Sequence, residues 1–158
     1  VKKLNLNEEA GDWETLGKFD FIILKEITHE LENFENFLIK LKPLLKDKES
    51  RIFVIMRPKN PVLPLPDKVA VTYRKLAPAR EVITNAADKA GFKQDTFSAS
   101  CPTKIDRFQW EDILMSRVFP AVNLSDRFNE NDIRLFIKNR PQLMQFEEKI
   151  LMITLWVE

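Results

Sequence analysis

A chain of 158 residues with 44% apolar and 31% charged side chains has the make-up of a globular domain, which excludes disordered and fibrous classes. Its 25 basic and 24 acidic residues leave a net charge of +1, so the basic excess that favours nucleic acid is missing. One cysteine and one histidine exclude an internal disulfide framework and argue against zinc, and no run of about 18–20 apolar residues marks a membrane span. The length suits one domain with a real core. A soluble, cytoplasmic protein is expected. The chain opens at Val1 rather than methionine, which suits a processed, trimmed or partial chain.

In chain order, "VKKLNLN" suits a weak edge strand and "EEAGDWETLGK" an acidic loop or helical turn punctuated by Gly11 and Gly17. "FDFIILK", residues 19–25, is nearly continuous apolar β-type sequence. "THELENFENFLIKLKPLLKD" then changes period. Leu31, Phe34, Phe37, Leu38, Leu41 and Leu45 recur at three and four residues, which predicts an amphipathic helix ended by Pro43. "SRIFVIMRP" predicts a second strand and the proline-dense "KNPVLPLPDK" a loop. "APAREVITNAADKAGF" predicts a helix, with Pro78 near its start and Gly91 as C-cap. "FKQDTFSASC" predicts a third strand ending near Pro102. "RFQWEDILMSRVFPAVNL" is predicted helical from Trp110 to Phe119, and "SDRFNENDIRLFIKNRP" helical with Ser125 or Asn129 as cap. "EEKILMITLWVE" alternates and predicts a closing strand. Strands alternating with helices predict an open α/β sheet, parallel in its first pair.

Several of these segments resemble the C-terminal half of a class I S-adenosylmethionine-dependent methyltransferase. The resemblance rests on Gly11-Asp12-Trp13, Phe19-Asp20 opening a strand, Ile27-Thr28-His29-Glu30-Leu31 after it, "LLKDKESRIFVIMRP", "REVITNAADKAGF" and the terminal "EEKILMITLWVE". It departs at Asp47-Lys48-Glu49-Ser50, where the family carries a glycine pair. It implies a single incomplete domain over residues 1–158. The implied fold is a Rossmann-like half-sheet of strand order 4-5-7-6 with its last strand antiparallel. Helices lie on both faces, and a helical insertion precedes the final strand. The family's glycine-rich loop has no counterpart, because the three glycines form no G-x-G.

The resemblance implies S-adenosylmethionine as cofactor of the intact parent, with a small-molecule or protein methyl acceptor. Asp12 and Trp13 would meet adenine, and Lys25 would line the cofactor wall. His29 or Glu26 would serve as base where the nucleophile carries a proton. Arg57 ends a strand at the same sheet edge and would border a substrate pocket, and Tyr73, Trp110 and Arg117 fall in segments that carry substrate-contacting insertions in the family. A plainer reading stands beside it: Thr28 caps a helix, and Glu26, His29 and Glu30 are solvated first-turn residues. Asp12 and Trp13 equally suit a turn aspartate and a half-buried indole. Trp110, Leu114 and Arg117 share helical spacing, as core residues beside a snorkelling arginine do. Cys101 has no activating neighbour in sequence. No metal is expected.

Cut from the family's first strands, "FDFIILK" would be an exposed apolar edge. A second function class follows: a non-catalytic interaction domain that docks through that edge, as a homodimer or with a partner supplying the missing half. A nicotinamide-dependent reductase lacks its G-x-G-x-x-G.

Overall fold

The computed structural model describes residues 13–125 and 128–158. The edge strand expected within residues 1–7 lies outside them. Among the described residues four strands form one sheet of order β1-β2-β4-β3, with β1 Phe21–Lys25, β2 Arg51–Met56, β3 Lys93–Asp106 and β4 Leu143–Trp156. β1 and β2 are parallel, with Phe21 opposite Arg51 and Lys25 opposite Ile55. β4 runs antiparallel to β2, with Ile52 opposite Leu155 and Met56 opposite Leu151. This is the order expected of strands 4, 5, 7 and 6.

By its contacts the chain divides into two compact units. Of the described residues, the first holds 13–58, Pro78–Ala99 and Ile150–Glu158; the second holds Lys59–Ala77, 100–125 and 128–149.

In the first unit, period-two alternation sends Ile52, Val54 and Met56 of β2 into the core, with Leu151, Ile153 and Leu155 of β4. Helix α1, Phe34–Leu41, and helix α3, Arg80–Lys89, complete that core through Phe37, Leu38, Ile83 and Ala87. Among the described residues β1 is an end strand: Leu24 is buried, while Phe21 and Ile23 are 62% and 65% exposed. Lys46 Nζ donates to Asp20 at 2.9 Å just before β1, and that carboxylate raises the ammonium pKa above its ordinary value.

The helix expected from Thr28 begins later. Thr28–Glu30 form a 3-10 turn, Leu31 is extended, and Asn33 caps α1 by accepting the Asn36 N–H at 2.9 Å. Thr28 is buried and caps nothing, so the capping part of the plainer reading is corrected. Pro43 lies in a 3-10 turn, Lys42–Leu44, directly after α1, as its missing N–H requires.

The second unit contains helix α2, Asp67–Leu76, which the sequence analysis passed over. Its β-branched Val69, Val71 and Thr72 read against a helix, but Val69 is fully buried and packing overrides propensity. The helix expected from Trp110 to Phe119 is instead α4, Arg107–Met115, and α5, Pro120–Leu124. Pro120 forces Phe119 into extended backbone, and Arg117 adopts φ 55° between the two helices. Arg117 therefore shares no helix face with Trp110 and Leu114. Helix α6, Glu130–Lys138, opens on Asn129 with a reciprocal capping box to Asp132. Ser125 instead donates its hydroxyl to the Ala121 carbonyl. β3 continues through Pro102 to Asp106, past its expected end, because an end strand tolerates a missing N–H.

Candidate functional site at the carboxyl ends of β1 and β2

Two parallel strands that end side by side leave their last carbonyls and the following loops on one rim. Ligands of open α/β sheets bind at such a rim. Lys25 is the last residue of β1 and is exposed; Arg57 follows Met56, the last of β2. The chain leaves β1 sharply. Glu26 adopts φ 53°, a left-handed conformation that costs a residue with a Cβ about 1–2 kcal/mol.

That conformation is held from β2. The Glu26 N–H donates to the Ile55 carbonyl at 2.9 Å. Its Oε1 accepts the Arg57 backbone N–H at 2.8 Å, and its Oε2 lies 3.4 Å from the Arg57 guanidinium. A hydrogen bond to a charged acceptor contributes about 1.5–3 kcal/mol before discounting for partial exposure, enough to offset the backbone cost. Both side chains are partly shielded, with 29% exposure for Glu26 and 25% for Arg57.

Past this clamp the chain turns through Thr28–Glu30, where the Glu30 N–H donates to the Ile27 carbonyl at 3.0 Å. His29 is 19% exposed, and its Nε2 lies 3.2 Å from Glu30 Oε1. An imidazole is a side chain of the type that accepts a proton in general base chemistry.

Four of the residues singled out by sequence thus gather at one rim: Lys25, Glu26, His29 and Arg57. Trp13 belongs to the same unit but is enclosed in its core, 8% exposed, edge-to-face with Phe37 at 5.8 Å. Its buried indole N–H has no acceptor among the described residues. Asp12 lies outside the described residues.

Tyr73, Trp110 and Arg117 belong to the second unit. Tyr73 packs half-buried against its core from α2. Trp110 is 4% exposed, packs against Phe119 and Phe146 at 5.8 and 5.7 Å, and donates its indole N–H to the Pro64 carbonyl at 2.8 Å. Arg117 is exposed and donates to Asn123 Oδ1 at 3.4 Å. The sequence analysis named Glu26 and Arg57 separately but missed their pairing, since 31 positions separate them and no spacing rule links two strand ends.

No family model matches the sequence, and no curated protein matches it. Among solved structures, a candidate methyltransferase from Bacillus halodurans superposes with a TM-score of 0.51 at 13% identity, over 88% of this chain and 70% of that one. The fold is methyltransferase-like. Haemonchus contortus phosphoethanolamine N-methyltransferase 2, in complex with S-adenosyl-L-methionine, matches 89% of this chain at TM-score 0.46 and 13% identity. Coclaurine N-methyltransferase, bound to N-methylheliamine and SAH, matches 98% at TM-score 0.41 and 13% identity. The chain spans 34% and 52% of those two proteins.

Gly17 and Gly91 are the described glycines, and neither follows β1 or β2 to let backbone approach a ligand. Among the described residues no three metal-ligating side chains cluster, and no helix is long and apolar enough to cross a membrane.

Proposed function

We propose that these 158 residues are part of an S-adenosylmethionine-dependent methyltransferase domain, supplying the cofactor wall but not the glycine-rich grip. The observation that carries this reading is the sheet order β1-β2-β4-β3 with β4 antiparallel to β2, in which parallel β1 and β2 end side by side at Lys25 and Met56. Methyl transfer from a sulfonium asks chiefly for in-line alignment of the acceptor, so a wall and one proton acceptor are a sufficient contribution. Lys25 lines the cofactor side. His29 accepts the proton of a nucleophile that carries one. Asp12 and Trp13 are assigned to the adenine end, and Arg57 to the acceptor side. The acceptor is a small molecule or a protein.

Two titrations test it. Calorimetry with S-adenosylmethionine gives no micromolar binding to this chain alone. Amide spectra with millimolar S-adenosylhomocysteine show shifts confined to Trp13 and residues 25–29. Micromolar affinity would sink the half-site assignment; shifts that spare residues 25–29 would sink the methyl-transfer reading.

The exposed Phe21 and Ile23 on an end strand favour a second reading, a non-catalytic domain that docks through this edge. It expects a dimer by light scattering that Ile23→Lys returns to monomer. A wild-type monomer at high micromolar concentration counts against self-association.

A further inference from the structure

We infer that Glu26 is a positioning residue: its carboxylate latches the loop after β1 to the end of β2, and it is not the proton acceptor of the rim. A general base needs a lone pair turned toward the substrate's proton. Both Glu26 oxygens face Arg57 instead, Oε1 on its backbone N–H at 2.8 Å and Oε2 by its guanidinium at 3.4 Å. The left-handed backbone of Glu26 gives the second argument. A glycine would adopt φ 53° without penalty, yet the position carries a carboxylate that reaches across to Arg57. With the Glu26 N–H held by the Ile55 carbonyl, three contacts tie the exit of β1 to β2 across 29 to 31 positions of chain. They set where Lys25 and His29 stand relative to the rim.

What the loop then presents to a ligand rests on the methyl-transfer reading; the latch itself does not, and its test uses no ligand. The two halves of the latch separate by mutation. Arg57→Met removes the guanidinium contact and keeps the backbone N–H contact. Glu26→Gln keeps an oxygen for that N–H, and Glu26→Ala removes both.

Amide hydrogen exchange on the whole chain reads the result. In the wild type the Arg57 amide is protected although it lies beyond β2. Exchange of residues 26–29 and 57 accelerates by about tenfold or more in Glu26→Ala and by less in Arg57→Met and Glu26→Gln. Exchange at Ile52 and Val54, inside β2, stays unchanged, which separates loss of positioning from general destabilisation. An unprotected Arg57 amide in the wild type overturns the proposal, and that measurement stands even if Glu26→Ala does not fold. Rates for residues 26–29 within twofold of wild type in Glu26→Ala overturn it too, as does equal acceleration at Ile52 and Val54.

Discussion

Replacing Ile153 with alanine lowers the stability of the chain by about 2–5 kcal/mol, read from urea unfolding. Ile153 is fully buried on β4, opposite Val54 of β2 and between two neighbouring strands. It faces the core completed by α1 and α3, so a truncated side chain leaves a cavity that sheet hydrogen bonds on both sides keep from collapsing. Domains of this size are stable by roughly 5–15 kcal/mol in all, so one substitution removes a large share. Ile23→Ala is the control. Ile23 is 65% exposed on the end strand, so its truncation should change stability by less than about 0.5 kcal/mol. Equal losses for the two variants would mean that the outer face of β1 is covered in solution.

Trp110→Ala should cost about 3–5 kcal/mol, the range for removing a buried aromatic residue. The indole stands between Phe119 and Phe146, and its N–H is the partner of the Pro64 carbonyl in the proline-dense loop. Trp110→Phe separates the contributions. It keeps most of the apolar contact, and loses the hydrogen bond, worth about 0.5–1.5 kcal/mol, with some volume. Unfolding followed by near-ultraviolet dichroism resolves the order wild type, Trp110→Phe, Trp110→Ala. A Trp110→Ala variant of wild-type stability would show that this aromatic cluster does not hold the unit together.

Elements whose pattern is strong and local were legible in the amino-acid order. The runs "FDFIILK" and "SRIFVIMRP" became β1 and β2, and "EEKILMITLWVE" became most of β4, because runs rich in β-branched and aromatic residues favour extended backbone. Pro43 and the Asn129 cap also behaved as expected, since both act within one turn of chain. Errors arose where a distant contact outweighed a local preference. α2 forms although its β-branched residues disfavour it, because Val69 is buried. The helix expected from Trp110 to Phe119 stops at Met115 for a local reason instead, since Pro120 keeps Phe119 extended.

For the candidate site, sequence alone placed Lys25, Glu26 and His29 at the end of a strand and Arg57 at the end of another. Side-chain chemistry and strand boundaries are local properties, so they can be read without a fold. The expected parallel first pair already put those two ends on one sheet edge; the commitment of Glu26 to Arg57 within it came from the register of β1 against β2. Register is decided by which faces of the two strands bury against α1 and α3, and no stretch of sequence shorter than the whole unit carries that information.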